Sequence, residues 1–304
     1  MPGPAFIAFF VLLVPLAANA GSYSDLRLSG KIYDRRIIEA SGLARSHVVA
    51  DRLWTLNDGD AKPELFAIDG GGNLHGSISL SPATNVDWED IASFEHDGKS
   101  WLLIADIGDN EAKRRYCSLY VVEEPAELHK QKLEPARQIR FTYPDGPLDA
   151  ESVAVDAEND SVLILVKRTV PARLYSVPLL AGDDDSIRTA ELLGDVATLP
   201  QPSQLELDRA LAHQSWHWQP TAMDITRNGR TAAILTYRGI YIYQRLEMES
   251  WIDALQRVPQ DIDFPTNGIA EAIAFSYKDD SLFVTVEGRS PPIYRSDLQG
   301  QHQR

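Results

Sequence analysis

The sequence predicts an all-β protein, a five-bladed β-propeller, and three observations predict it. First, the stretch "DAESVAV" from Asp149 has close relatives in "IEASGLA" from Ile38, "WEDIASF" from Trp88, "PTAMDIT" from Pro220 and "AEAIAFS" from Ala270, at intervals of 50 to 70 residues. Second, each start is followed by the same order of short apolar runs separated by polar turns, the pattern of a repeated four-stranded unit. Third, the fifth unit runs out of chain after its third strand, while an unassigned strand, "DLRLSGKI", lies near the N-terminus. That strand is expected to complete the last blade and to remove the edges of an open sheet.

Taken in order, blade one reads "EASGLARS", "RLWTLND", "ELFAIDG" and "LHGSISL", and blade two reads "EDIASFEH", "KSWLLIAD", "SLYVVEE" and "ARQIRFTY". Blade three offers "ESVAVDA", "SVLILVK", "RLYSVPL" and a poorer "RTAELLGDVATL". Blade four has "AMDITRN", "TAAILTY", "GIYIYQR" and a less regular tail through "QDIDF", and blade five has "EAIAFSY", "SLFVTVE" and "PIYRSDL". The runs are rich in Val, Ile, Leu and Tyr and are bounded by "DGDAK", "AENDS", "RNGR" or "YKDDS", which are strand and turn signatures. The long interval between Glu151 and Thr221 leaves room for a sixth blade, the runner-up. Residues 201–218, "QPSQLELDRALAHQSWHW", read better as a small helical insertion with Leu205, Leu207, Leu211 and Trp216 as its apolar positions. A pair of sandwiches would leave the common unit starts unexplained, and strands do not alternate with helices as in an α/β fold.

Composition bounds the rest. The first twenty of the 304 residues are apolar and end in A-N-A, which predicts a secretory signal cleaved after Ala20 and a single propeller domain over 21–304. The n-region lacks Lys and Arg, and a single uncleaved anchor is the alternative, but the run from Ala5 to Ala18 is short for a membrane span. The expectation is therefore a periplasmic or secreted protein with no stable membrane span. One cysteine leaves no intramolecular disulfide, and a net charge of −15 argues against a nucleic-acid partner while suiting a solvated surface or cation binding.

In a four-stranded blade the first strand is innermost, so Glu39, Glu89, Glu151, Thr221 and Glu271 are expected to meet at the mouth of the central channel. Carboxylates brought together repel, and a hard cation such as calcium would compensate them. The plainer alternative is that the glutamates cap inner strands and bond the neighbouring blade. "LNDGD" and "ADIGDN" add Asn57, Asp58, Asp60, Asp106, Asp109 and Asn110 on the same face. Asp60 and Asp109 read as turn formers, whereas Asn57 and Asp106 each end an apolar strand and are expected at the mouth. The predicted metal set is thus Glu39, Asn57, Glu89, Asp106, Glu151 and Glu271, with Ca2+ as the ion. Across the ring, Lys167, Arg168, Arg238 and Arg289 could hold an anion or form plain salt bridges to Glu151, Glu271 and Glu287. His213 and His217 share a helix face but lack the rest of a zinc motif, and Trp88, Trp216 and Trp218 either line a groove or pack. Cys117 reads as a buried, inert thiol. No nucleophile elbow, Walker loop or dinucleotide glycine pattern is present.

"EASGLARS", "LWTLNDGD", "DWEDIA", "ADIGDN", "YPDGPLDAESVAVD" and "ILTYRGIYIY", in that order over residues 36–288, resemble a largely uncharacterised family of exported bacterial β-propeller proteins. Asn228 stands where members often carry the aspartate of a D-G turn, a change that preserves the turn. The resemblance implies the fold and export and transfers no catalytic residue. The expected function is a binding protein whose acidic channel mouth takes a divalent cation or a small polar or anionic ligand. The alternative is a metal-dependent hydrolase of phosphate esters or lactones, with Glu89 or Asp106 as general base and Arg168 and Arg289 holding the anion.

Overall fold

The structure, a computed structural model, describes residues 21–128, 132–180, 186–210, 217–264 and 269–300. The expected signal over residues 1–20, together with Leu211, His213 and Trp216, lies outside the described residues. Five sheets, antiparallel but for one edge pair, follow one another along the chain, and each inner strand is buried over most or all of its length. The inner strands are Ala40–Arg45, Trp88–His96, Ala150–Asp156, Pro220–Ile225 and Ala270–Phe275. A strand buried on both faces carries apolar and small residues continuously rather than in alternation, which is why the five starts look alike. Five apolar clusters fill the five gaps between neighbouring blades, including the gap between blades five and one, where Leu43 and Phe66 meet Ala272 and Ile293. Each such side chain contributes about 1.5–3 kcal/mol on burial, and the ring is closed by packing without a disulfide.

Closure follows the expected scheme. Arg27–Lys31 forms the outer strand of blade five, with Arg27 opposite Arg295, Leu28 opposite Tyr294 and Gly30 opposite Ile293. Ser24 N–H and Ile32 N–H extend the pairing to the carbonyls of Asp297 and Pro291, both at 2.9 Å. Gly30 has to be glycine here: a Cβ would sit 2.0 Å from the Gly71 carbonyl oxygen of blade one.

The irregular segments acquire reasons. The poorer run of blade three serves two sheets: Ile187–Thr189 pairs in parallel with Arg137–Thr142 at the outer edge of blade two, and Glu191–Val196 then completes blade three. No sixth sheet occurs among the described residues. The insertion begins with the helix Gln204–Ala210, opened by a capping box in which Ser203 Oγ accepts from Glu206 N–H at 3.3 Å and Ser203 N–H donates to Glu206 Oε2 at 3.0 Å. Leu205, expected as an apolar contact, is exposed, and Leu207 is half-buried. Trp88 is fully buried, packs against Tyr120 and donates to the Thr84 carbonyl, so it lines no groove. Cys117 is a buried free thiol whose pKa burial pushes up to about 12.

Two buried polar nodes tie the inner strands across the channel. Asp90 of blade two accepts N–H groups from its own neighbour Ile91 (2.8 Å), from Val153 of blade three (2.9 Å) and from Met223 of blade four (3.4 Å). Arg45 of blade one donates to Asp224 Oδ2 and to the Ile225 carbonyl, both at 2.6 Å, and Asp224 also accepts Phe275 N–H of blade five at 2.8 Å. Buried charge is tolerated where it is paired and hydrogen-bonded, and here the pairing joins all five blades.

Candidate functional site

One local device shapes the channel mouth. In every blade the pairing of the first two strands slips by one residue at the second position of the inner strand: Trp88 opposes Asp106 and Asp90 opposes Ala105, leaving Glu89 unmatched. The same slip leaves Ser41, Glu151, Thr221 and Glu271 unmatched. A bulge of this kind re-aims the extra side chain. Ser41 and Thr221 use their hydroxyls to donate 2.7 Å bonds to the carbonyls of Glu89 and Ala270 in the next blade. The three glutamates are left facing the mouth.

Glu39 is therefore two residues out of register with the others. Its equivalents are Asp87 and Asp149, and its side chain is exposed. The role of Asn57 and Asp106 also differs from expectation. Asn57 Oδ1 accepts Ile38 and Glu39 N–H at 3.1 and 3.3 Å, while its Nδ2 donates to the Arg36 carbonyl at 2.7 Å, so its side chain is consumed in anchoring the strand that starts blade one. Asp106 anchors blade two in the same way, accepting Asp87 N–H at 3.1 Å and pairing with Arg114 at 2.7 Å. Neither is open to a ligand.

The residues that converge are Asp58, Asp87 and Glu89, which offer one carboxylate oxygen each, all within 4.8 Å of one another. Asp58 follows the anchor Asn57, and its carboxylate is hydrogen-bonded to Gly59 N–H. Asn85 fixes the loops by donating to the carbonyls of Asn57 (3.1 Å) and Asp58 (2.9 Å). Gly108 makes the room, because a Cβ there would lie 2.1 Å from Glu89 Oε1 and 2.5 Å from Asp87 Oδ2. Glu89 is 4% exposed, and its carboxylate Oε2 lies 3.4 Å from the Ser41 hydroxyl.

The electrostatics follow from crowding. Burial, then the neighbouring Asp58 and Asp87, raise the Glu89 pKa well above the usual range. Burial, then Asp58 and Asp149, push Asp87 up to about 6, and burial raises Asp58 too. Glu271 rises to about 8, chiefly through burial, with Lys167 opposing and Glu287 and Asp58 adding to the shift. Lys167 is the buried cation of the mouth: it pairs with Glu151 Oε1 and lies 5.5 Å from the centre of the Tyr237 ring. Glu151 Oε2 is buried with no hydrogen-bond partner among the described residues.

The cations expected opposite the acids are engaged elsewhere or exposed. Arg168 donates to Asp149 Oδ2 at 2.7 Å and Asn110 Oδ1 at 2.6 Å, bracing the loops of blades two and three. Arg238 lies 3.4 Å from His217, and Arg289 is exposed at a loop tip. His217 is exposed with Glu206 at 3.6 Å. Asp109 accepts the N–H groups of Lys113 and Arg114, as a turn former does. An all-oxygen donor set with no histidine or thiol fits a hard divalent cation.

No protein-family model and no curated protein matches the chain. Among solved structures, it is similar to the crystal structure of Chaetomium thermophilum Raptor, at 10% identity and a TM-score of 0.40, over 88% of this chain and 20% of that one. It thus spans about a fifth of that protein's length. It is also similar to the crystal structure of the RRP9 WD40 repeats, at 12% identity and a TM-score of 0.45, over 92% of this chain and 99% of that one. The blade count stands on the sheet topology. A rigid ring that gathers loops on one face is a scaffold suited to binding, and fold alone assigns no chemistry.

Proposed function

We propose that this is an exported binding protein whose channel mouth holds a divalent cation, calcium by its chemistry. The observation that carries the reading is the meeting of Asp58, Asp87 and Glu89 within 4.8 Å, a span bridged by calcium–oxygen bonds of about 2.3–2.6 Å, with carbonyls and waters completing the shell. Magnesium, with bonds of about 2.0–2.1 Å and near-octahedral demands, fits that spread less well. A cation would neutralise carboxylates that otherwise repel in partly shielded surroundings. Export is supported by the apolar leader of the sequence and by the family resemblance.

Calcium titration followed by thermal denaturation tests the reading. Calcium at about 100 times its Kd stabilises the native state by about 2.7 kcal/mol, and Asp87→Asn abolishes the shift while the protein stays folded. No shift in the unaltered protein at millimolar calcium would sink the proposal. The hydrolase alternative retains Glu89 and the exposed Arg289 among the groups assigned to it, since Asp106 is closed under Arg114 and Arg168 is held by Asp149. Calcium-dependent turnover of phosphomonoesters or lactones, lost on chelation, would replace the binding reading.

A further inference from the structure

The carboxylates of the triad are walled by main chain from two blades. Gly108 stands against Glu89 Oε1 and Asp87 Oδ2, while Gly59, in the loop of blade one, stands against Asp87 Oδ1, which a Cβ there would approach to 2.5 Å. Neither glycine has a positive φ, so backbone conformation does not call for glycine and the missing Cβ is a matter of space. The residue two beyond the end of the second strand is Gly59, Gly108, Arg168, Arg238 and Gly288 in blades one to five. Gly288 differs from the other two glycines, because its φ is 112° and nothing lies within 4 Å of where its Cβ would be. Room beside a carboxylate is therefore kept only in the two blades that build the triad.

The walls are pinned from behind. Gly108 N–H donates to the Asp87 carbonyl at 3.2 Å, its own carbonyl accepts from Arg114 at 2.9 Å, and the following N–H, that of Asp109, donates to Asp149 Oδ1 at 2.9 Å. The peptide leading into Gly59 is held by Asn85, which donates to the Asp58 carbonyl, and Asp58 N–H donates to the Glu39 carbonyl, both at 2.9 Å. Between the walls, Glu89 Oε1 makes no hydrogen bond among the described residues, although Glu89 is buried and its carboxylate meets those of Asp58 and Asp87. A buried acceptor left open in this way calls for a ligand.

We infer that Gly59 and Gly108 determine which ion the mouth takes: the main chain fixes the gap between the carboxylates at a width that suits calcium and disfavours magnesium. The inference rests on the cation reading proposed above and names what selects the ion. Selection between these two ions depends on cavity size and on the number and flexibility of the ligands. A methyl group at position 108 needs about 3.5 Å of clearance, so the carboxylates beside it must move by roughly 1 Å. Moved inward, they close toward the shorter magnesium bonds. Moved outward, they leave fewer protein oxygens, which a hydrated magnesium ion tolerates and a calcium ion with six to eight ligands does not. Either displacement costs calcium more than magnesium.

The test is calorimetric titration of the purified protein and of its Gly59→Ala, Gly108→Ala and Gly288→Ala variants with calcium and, separately, with magnesium, melting in chelator serving as the check of folding. The unaltered protein is expected to bind calcium more tightly than magnesium. Gly59→Ala and Gly108→Ala are expected to stay folded and to weaken calcium by about tenfold or more, the usual cost of disturbing the shell behind a metal ligand, with magnesium weakened less, so that the ratio of the two affinities falls. Gly288→Ala, strained by its positive φ, is expected to melt lower in chelator and to keep the ratio. A ratio kept in both the Gly59 and Gly108 variants, whether calcium affinity is retained or both ions are lost together, would overturn the inference and leave the cation reading standing. Magnesium binding as tightly as calcium in the unaltered protein would overturn it too, and an unaltered protein that binds neither ion would sink both.

Discussion

Burial pushes the Glu271 carboxyl pKa up to about 8, with Lys167 opposing and Glu287 and Asp58 adding to the rise. The unfolded chain releases that carboxyl proton near the ordinary glutamate pKa. Between those limits the folded state therefore binds more protons than the unfolded state, and stability falls as pH rises through the window. His47 acts with the opposite sign: burial, then Arg45, lower its pKa to about 4, so its contribution rises with pH, but only below the ordinary histidine range near 6.5. In chelator, the melting temperature is expected to fall between pH 6.5 and 8.5, and Glu271→Gln to flatten that fall. Thermal denaturation across the range checks this, and a flat or rising curve for the unaltered protein would count against it.

Among the elements, the closing strand Arg27–Lys31 carries the most consequence for its length. Its face is largely exposed, so its value lies in satisfying the edge of Pro292–Asp297 and in anchoring Tyr23 against Phe275. Deleting residues 22–32 is expected to leave an unpaired edge, lower the denaturation midpoint sharply and promote self-association, read by chemical denaturation and light scattering. Gly30→Val, which drives a side chain into the Gly71 carbonyl, is expected to cost on the order of 1–3 kcal/mol. This strand was legible in the sequence because an unassigned "DLRLSGKI" faced an unfinished last blade. The blades were legible too, because buried inner strands repeat their composition. The site was legible only to within a residue or two. Pattern reading placed Glu89 and Glu271 at the mouth, but the bulge shifts the register of each blade start, so Asn57 and Asp106 became anchors and Asp58 and Asp87 took their place. Asp58 directly follows an anchor and Asp87 lies two residues before the unmatched Glu89, a spacing that only the pairing register makes meaningful. The convergence itself depends on contacts between distant loops, which no local pattern encodes.

At the scale of the whole molecule, the ring is bonded across its axis as well as around its circumference. Arg45 is 1% exposed and supplies the only positive charge beside Asp224, apart from backbone N–H groups, among the described contacts. Arg45→Met would strand a buried carboxylate and is expected to destabilise the fold by about 3–5 kcal/mol. The double variant with Asp224→Leu is expected to recover part of that loss, as denaturant midpoints for the cycle would reveal; equal losses for single and double variants would contradict it. The same nodes set the side chains of Asp90 and Arg45 between inner strands of blades that are not neighbours in the ring.

The pairing of the first strand with the last also orders events in time. Ser24 and Asp297 meet across 273 residues of sequence, so the strand Arg27–Lys31 has no partner until Pro292–Asp297 has been made. Local hairpins form quickly, whereas joining Arg27–Lys31 to Pro292–Asp297 requires closing a loop around all five blades. The ring is thus set to complete itself only once Pro292–Asp297 has been made, and Arg27–Lys31 waits for its place while the blades between them form.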